Sequence, residues 1–340
     1  MSLLTETSIF PSLPDTEIYK SIILGVGHEH RSTGVVLYGI SIYPLAILSG
    51  FDILSFMIFQ QLFYFLGCYY ICKAYITYLD FEKINYDYYL LIIIMVMFSF
   101  YPASIFYTSM ALREWLMVFY VGVCSYGLTQ WKYRRKLIYL LFGILGLVMI
   151  RPQLVVAVIL TIGTMKIITK KKVVIALPFI LLVAIEVFST LIYPVDPVLL
   201  SKIRATWAEN SGDQVYGTFI WNNWLDVIVD YPALFSQFLL SPLPLLHNRS
   251  IMSSLTGFVD LIFMLPVYFI FLWGLAKKGI KYYFSNPIFL LMIVIISSSA
   301  LWEAYIGGAI RHRLVALVLL LPFVSHIIWF AIVSPSKNRN

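Results

Sequence analysis

Long apolar runs alternate with short polar segments along the chain. A helical membrane span needs about 20 apolar residues, and a helix satisfies its own backbone hydrogen bonds in lipid. We assign nine apolar runs as spans, some of them shorter than this, over residues 52–79, 88–110, 114–131, 137–150, 153–168, 173–193, 255–276, 286–301 and 314–334. The pattern predicts an all-α fold, a polytopic transmembrane helical bundle.

A tenth apolar run, residues 33–50, contains Gly34, Gly39 and Pro44. Such residues favour a re-entrant or interfacial element as much as a full crossing, because non-helical backbone at membrane depth must be buried in protein or line a cavity. We therefore predict about 9–10 spans. Counting residues 33–50 as a span places the N-terminus inside, and leaving them out places it outside.

The remaining polar segments complete a single integral membrane domain over residues 1–340. We divide it into a polar N-terminal segment, helical spans, an outer-face loop, further spans and a cytoplasmic tail, over residues 1–32, 33–193, 194–254, 255–334 and 335–340. Residues 194–254 form the only long stretch between spans. The amphipathic run from Trp224 to Leu240 predicts an interfacial helix within this large outer loop.

Composition supports a membrane protein. Hydrophobic residues make up 61% of the chain and charged residues 12%, with a mean hydropathy of +0.87. A soluble domain carries about 25% charged residues. Cys68, Cys72 and Cys124 lie within or beside apolar runs, so they predict neither a disulfide framework nor a metal site, and no motif indicates a cofactor.

The net charge of +7 is concentrated in short loops. These basic clusters are Lys132 with Arg134, Arg135 and Lys136; Lys166 with Lys170, Lys171 and Lys172; Lys277 with Lys278 and Lys281; and Lys337 with Arg339. Basic residues mark cytoplasmic loops of membrane proteins. The charge therefore predicts topology, with a cytoplasmic C-terminus, and no nucleic-acid partner.

Several arginines fall where that rule does not put them. Arg113, Arg151, Arg311 and Arg313 occupy predicted outer ends of spans, and Arg204 lies in the outer loop. Arginines converging from separate helix ends suit bidentate binding of phosphate or diphosphate, so all five are candidate substrate-binding residues.

Arg151 is the sharpest of these cases. The run before it, residues 137–150, would form a helix of only about 21 Å, shorter than a hydrocarbon core of about 30 Å. The hairpin tip then lies within the membrane, where an unpaired arginine costs at least about 2.5–3.5 kcal/mol. A carboxylate partner or an anionic ligand would hold it there. The alternative is that Arg151 reaches the outer headgroups and anchors the hairpin.

Asp15, Glu114 and Glu303 are the candidate catalytic acids. Asp15 qualifies if its segment lies outside, and Glu303 is close in sequence to Arg311 and Arg313. Glu114 opens a predicted helix, where the helix dipole favours an acid whatever its function. Glu186, within the predicted span 173–193, is either functional or an ion-pair partner.

Short motifs carry a family resemblance. They are Phe98-Ser-Phe-Tyr101-Pro102, Leu112-Arg113-Glu114, Ile150-Arg151-Pro152, Pro242-Leu-Pro244 and Gly308-Ala-Ile-Arg311-His-Arg313. Together they resemble polytopic proteins of bacterial surface-polysaccharide clusters: O-antigen and capsule repeat-unit polymerases (Wzy-like) and GT-C glycosyltransferases. Asp15-x-x-x-Tyr19 with Leu48-Ser-Gly50 resembles the first external loop of GT-C enzymes, whose acid serves as the base.

The resemblance implies glycosyl transfer from a polyprenyl-(di)phosphate-linked sugar at the outer face of the bacterial inner membrane, as a repeat-unit polymerase. A GT-C transferase using a lipid-phosphate sugar and a lipid-linked saccharide flippase are the alternatives. Arg151, Arg311 and Arg313 would bind the (di)phosphate, and Arg113 would add a contact. The expected partners are a polyprenyl-linked oligosaccharide, membrane lipids and other polysaccharide-assembly proteins.

Overall fold

The computed structural model describes residues 14–24, 33–110, 112–133, 137–167, 196–210, 219–243, 251–304 and 306–337. Within these ranges all regular secondary structure is helical. The helices are α1 (Pro14–Ile23), α2 (Thr33–Leu48), α3 (Ile53–Phe81), α4 (Tyr88–Phe100), α5 (Pro102–Thr108), α6 (Glu114–Lys132), α7 (Ile138–Ile150), α8 (Pro152–Ile167), α9 (Pro197–Asn210), α10 (Trp224–Leu240), α11 (Ile251–Lys278), α12 (Ile280–Phe284), α13 (Pro287–Trp302), α14 (Ile306–Leu317) and α15 (Leu321–Lys337).

Two of the described helices are long and apolar enough to cross a membrane: α3 and the Leu255–Lys278 part of α11. The number rises to four if each of two bent pairs is one span. These pairs are α4 with α5, bent by 54°, and α14 with the Leu321–Ile332 part of α15, bent by 59°. The all-α prediction is confirmed for the described residues, and the predicted spans 52–79, 88–110, 255–276 and 314–334 coincide with or overlap these helices.

Within the described residues, the other predicted spans do not correspond to helices that are both long and apolar enough to cross a membrane. Four of them correspond to apolar helices of 10–17 residues, Val36–Leu48, Ile138–Ile150, Pro152–Met165 and Pro287–Trp302. Helix α6 covers the predicted span 114–131 and is 19 residues long, but it is less apolar than α3 and α11. The predicted span 173–193 lies outside the described residues. The total of 9–10 spans stays a prediction.

Prolines and short polar side chains set many of the helix boundaries. Tyr101 is extended (φ −68°, ψ 111°) and Pro102 opens α5, which breaks the apolar run at that point. Proline disfavours helical backbone in the residue before it and is well suited to the first helical position. Asp52 and Asp87 cap α3 and α4 by accepting hydrogen bonds from backbone N–H groups.

Helix α6 forms the centre of the bundle, with 16 of its 19 residues buried. It packs so closely on α3 that a Cβ atom at Gly122 would lie 2.4 Å from the Gly67 carbonyl oxygen. On α7, a Cβ at Gly143 would lie 2.5 Å from the Cys124 sulfur. Small residues allow such close approach of helices, as is common inside membranes.

Large apolar side chains cover the outer surface of the bundle. Ile58 of α3 is 71% exposed and Phe269 of α11 is 76% exposed. In the most apolar stretches of α3 and α11, only 33% and 28% of the residues are buried. Contiguous apolar surface of this kind marks contact with a membrane or another protein.

The turns between helices meet at two opposite ends of the bundle. We call one the arginine end; it holds the start of α6, the α7–α8 turn and the start of α14, where Arg113, Arg151 and Arg311 lie. The other is the lysine end, where Lys132 at the end of α6 contacts Glu82 after α3 and Ser285 before α13.

Helices α9 and α10 lie within the segment predicted as a large outer loop. Helix α10 has the predicted bounds, Trp224–Leu240, and begins with a capping box of Asn223 and Asp226. It packs on α13 and α14 at the arginine end, while Leu225 and Val229 point outward, 67% and 70% exposed. Its place at a membrane interface stays a prediction.

Candidate functional site

Segments far apart in sequence bring four of the predicted arginines together at the arginine end. Arg113 directly precedes α6, Arg151 separates α7 from α8, and Arg311 and Arg313 lie in α14. Pro152 stops α7 from continuing and fixes Arg151 at the turn. We define the arginine cluster as these four arginines with Glu114, Asp260, Glu303 and His312.

The first pair in the arginine cluster joins Arg311 to Glu114. The guanidinium Nε of Arg311 donates to Oε1 of Glu114, and the Glu114 side chain is fully buried. Glu114 is the first residue of α6, where the helix dipole also favours a negative charge. This predicted catalytic base is thus held in a buried ion pair.

The second pair joins Arg313 to Asp260 of α11. Nη2 of Arg313 donates to Oδ2 of Asp260 over 2.5 Å, and Nη1 donates to the carbonyl of Leu239 over 2.7 Å. Both charged side chains are fully buried. Asp260 was not predicted as a site residue, although an acid inside the predicted span 255–276 is itself a signal of a functional or paired group.

The helix that carries Arg311 and Arg313 begins earlier than predicted. The apolar run suggests a span from residue 314, with the two arginines opening it after a turn at Gly307–Gly308. Instead, α14 begins at Ile306 and includes both glycines and both arginines. Because the arginines lie within a helix that packs on α6 and α13, they are buried, not placed at an exposed helix start.

His312 forms the third contact of the arginine cluster. Its Nδ1 is paired with Oε1 of Glu303, which directly follows α13. Nη2 of Arg151 lies 3.3 Å from the same nitrogen. His312 was not predicted as a site residue, and its position between the candidate arginines Arg311 and Arg313 was the only local signal for it.

Arg113 lies at the edge of the arginine cluster. Its Nη1 donates to the Ile150 carbonyl over 3.4 Å, and its guanidinium lies 5.6 Å from the ring centre of Tyr19 in α1. Among the described residues no carboxylate lies within ion-pair distance of it. A partly exposed arginine of this kind is suited to an anionic ligand.

The arginine cluster has a partly exposed rim and a buried floor. Arg113, Arg151 and His312 form the rim, since all three are partly exposed. The buried floor consists of Glu114, Asp260, Glu303, Arg311 and Arg313. Among the described residues of this site there are four arginines and three acids.

Arg204 has a different environment from the other four arginines. Its Nη1 donates to the carbonyls of Leu301 and Ala300 at the end of α13, and its guanidinium lies 5.5 Å from the Trp221 ring centre. Burial lowers the pKa of Arg204 to about 10. These contacts cap the helix that leads into Glu303, and its predicted part in substrate binding stays a prediction.

Two acids of the sequence analysis lack a described side chain. Asp15 lies in α1, one turn before the Tyr19 ring that contacts Arg113, but only its backbone is described. Glu186 lies outside the described residues.

Histidine, cysteine and acidic side chains form no group of three that could hold a metal ion within the described part of the chain. The three cysteines are buried and unpaired.

No protein-family model, curated protein or solved structure matches this chain.

Proposed function

We propose that this protein transfers glycosyl groups from a polyprenyl-(di)phosphate-linked sugar, as an O-antigen or capsule repeat-unit polymerase. The observation that supports this most strongly is the arginine cluster, in which four arginines and three acids among the described residues meet at one end of an apolar helical bundle. Such a site suits an anionic headgroup attached to a hydrophobic tail.

The proposed chemistry depends on neutralising a leaving group. When the sugar–phosphate bond breaks, negative charge develops on the polyprenyl (di)phosphate. Preorganised arginines in a site of low dielectric stabilise such charge strongly. We assign direct phosphate contacts to the rim arginines Arg113 and Arg151. The buried Arg311 and Arg313 contribute positive potential and fix the floor.

The proposed topology follows the distribution of lysines. Lys132 ends α6, Lys277 and Lys278 end α11, and Lys281 lies in the short helix α12 that follows. The positive-inside rule assigns such basic clusters to the cytoplasm. The arginine end then faces the outer side of the bacterial inner membrane, as expected for a multi-pass protein of about 9–10 spans with a cytoplasmic C-terminus. The exposed Leu225 and Val229 of α10 would rest on the outer leaflet.

The GT-C alternative has one observation in its favour. Helix α1 brings Tyr19 against Arg113, so the acid-bearing helix of Asp15 lies beside the proposed phosphate site. An acid in such a place would activate the acceptor of a single-sugar transferase. A flippase would instead need cations along a path through the membrane, whereas the arginine cluster lies at one end of the bundle.

Deleting the gene and separating the surface polysaccharide on a gel distinguishes these functions. A polymerase predicts loss of the ladder with a single repeat unit retained. A sugar transferase predicts a truncated repeat unit. A flippase predicts loss of the polysaccharide with lipid-linked repeats accumulating on the cytoplasmic side. An unchanged ladder would exclude all three.

A paired comparison of two cations tests the site itself. Arg113→Gln, introduced into the deletion strain on a plasmid, should lower the long-chain fraction at least about 10-fold, because one charge-stabilised hydrogen-bond set to the phosphate is lost. Lys132→Gln removes a cation at the lysine end and should restore the full ladder. Equal ladders from both variants would count against the proposed phosphate site.

A further inference from the structure

His312 has an environment that neither Glu114 nor Glu303 shares. Its side chain is 15% exposed at the rim, whereas the Glu303 side chain is 3% exposed and that of Glu114 is fully buried. An acceptor hydroxyl must come within about 3 Å of the group that takes its proton. The imidazole is therefore more accessible from the rim than either carboxylate.

The contacts of His312 define which ring nitrogen carries the proton. Nδ1 faces both Oε1 of Glu303 and, at 3.3 Å, Nη2 of Arg151. One nitrogen cannot donate and accept at once, and the carboxylate is the nearer group. Nδ1 of the neutral ring is therefore the protonated donor to Glu303, and Nε2 keeps its lone pair.

Nε2 of His312 is the atom available for chemistry. Within the described part of the chain it makes no hydrogen bond, whereas Oε1 of Glu303 is occupied by Nδ1. A histidine with one nitrogen held by a carboxylate and the other open is the arrangement by which enzymes activate hydroxyl groups.

We propose that His312 is the general base of the glycosyl transfer and that Glu303 is its positioning residue, an inference that rests on the proposed function. Nε2 takes the proton of the acceptor hydroxyl, and the hydroxyl oxygen bonds to the anomeric carbon of the donor sugar. The bond from that carbon to the phosphate oxygen breaks, and its electron pair leaves with the polyprenyl (di)phosphate. The imidazolium then releases its proton to water.

The same geometry places Arg151 between the proposed base, His312, and the proposed site of the leaving phosphate. Its guanidinium lies beside the imidazole that receives the proton and at the rim where the leaving phosphate would bind. The base and the leaving-group site are thus both within reach of one donor sugar, with the acceptor oxygen and the phosphate on opposite faces of its anomeric carbon.

Nitrogen-15 NMR of the histidine-labelled full-length protein in detergent micelles tests the geometry without any substrate. His312→Asn identifies the His312 signals. We expect the neutral ring to carry its proton on Nδ1 in the native protein and to lose that preference in Glu303→Gln. A native ring protonated on Nε2 would overturn the inference, because that nitrogen could not accept a proton.

Membrane vesicles from the deletion strain, carrying the native protein or one variant from a plasmid and supplied with native lipid-linked repeats, test the chemistry. His312→Ala should slow chain elongation about 100-fold or more, the usual contribution of a general base. Added imidazole should restore part of the rate, which a merely structural histidine would not allow. His326→Gln, at the lysine end where His326 contacts the Tyr75 hydroxyl, should keep the native rate and show no response to imidazole.

A check on folding and a comparison of variants distinguish a loss of structure from a loss of activity. Each variant is scored only after its amount in the membrane and its elution from a sizing column match the native protein, and His312→Gln replaces His312→Ala if the latter does not fold. If Arg113→Gln abolishes elongation while His312 variants retain it, the inference is wrong and the proposed function stands. If gene deletion leaves the polysaccharide unchanged, both are overturned.

Discussion

The two ends of the bundle use charge in different ways. At the lysine end, Lys132 pairs with Glu82 over 2.8 Å, and the two side chains are 24% and 39% exposed. At the arginine end, Arg313 and Asp260 pair over 2.5 Å with both side chains fully buried. Exposed pairs contribute little to stability, whereas burying two charges carries a desolvation cost that the pairing must offset.

This difference separates topology from chemistry. An exposed lysine at a helix end is sufficient to mark a cytoplasmic loop. Nothing in that requirement calls for four arginines at the opposite end, nor for acids buried beneath them. Under the proposed function, the buried ion pairs hold the rim arginines and His312 in position.

Breaking one buried pair should have the largest effect. Arg313→Gln leaves the Asp260 carboxylate buried without its cation, which costs about 3–5 kcal/mol. We expect a large fall in the thermal-aggregation temperature of the detergent-solubilised protein. The double change Arg313→Met with Asp260→Leu should recover much of that loss. If Arg313→Gln leaves the aggregation temperature unchanged, the buried Arg313–Asp260 pair does not stabilise the fold.

The packing that joins the two ends should be the next most sensitive feature. Gly122→Ala places a methyl group 2.4 Å from the Gly67 carbonyl oxygen, which is backbone and cannot move aside cheaply. Overpacking of this kind typically costs about 1–3 kcal/mol. Gly163→Ala is the matched control, because nothing lies within 4 Å of its added Cβ. Equal melting of the two variants would show that α3 and α6 are less tightly packed.

A change at Arg204 tests whether this arginine stabilises the fold or binds the substrate. Arg204→Gln removes the hydrogen bonds to the Leu301 and Ala300 carbonyls, at a cost of about 1–2 kcal/mol for charge-assisted bonds. We expect lower stability and an unchanged KM for the lipid-linked donor in the vesicle assay. A raised KM with unchanged stability would instead make Arg204 part of the binding site.

The smallest effect should come from acidifying the lysine end. Burial alone would raise the pKa of Glu82, but hydrogen bonds from Lys132 and Tyr133 outweigh it and lower the pKa. This contribution to stability is present above the ordinary pKa of a glutamate and is lost as the pH falls through the lowered value. Such exposed pairs contribute about 0.2–1 kcal/mol.

Lys132→Gln provides the test of that pH dependence. Melting curves of the native protein and the variant should converge as the pH falls below about 4, because the protonated Glu82 no longer pairs. A gap that persists at low pH would mean that Lys132 acts mainly through the Ser285 carbonyl, 3.1 Å away.

Local sequence signals predicted where the helices lie better than they predicted the contacts between helices. The Arg113–Glu114 helix start and the Arg151–Pro152 turn follow from proline and apolar pattern, and both occur as predicted. The start of α14 does not, because Gly307 and Gly308 were expected to form a turn. Both glycines lie in α14, which packs on α6 and α13, and no local pattern reveals those contacts.

Ion pairing was the least predictable feature of the site. The sequence suggested Glu303 as a neighbour of Arg311 and Arg313, yet Arg311 pairs with Glu114 and Arg313 with Asp260. The partners are 197 and 53 residues apart. Helix α6 was predicted from its apolar run, but its burial at the centre of the bundle was not, because burial depends on contacts with other helices.

The close contact of Gly67 with Gly122 also bears on how the chain is made. Helices α3 and α6 run in the same direction, since Gln60 lies beside Met110 and Glu82 beside Lys132, each 50 residues apart. At roughly 5–20 residues per second, a ribosome needs about 3–10 s to deliver the second helix after the first. During that interval the glycine face of α3 has no partner, so the insertion machinery or lipid must cover it until α6 arrives.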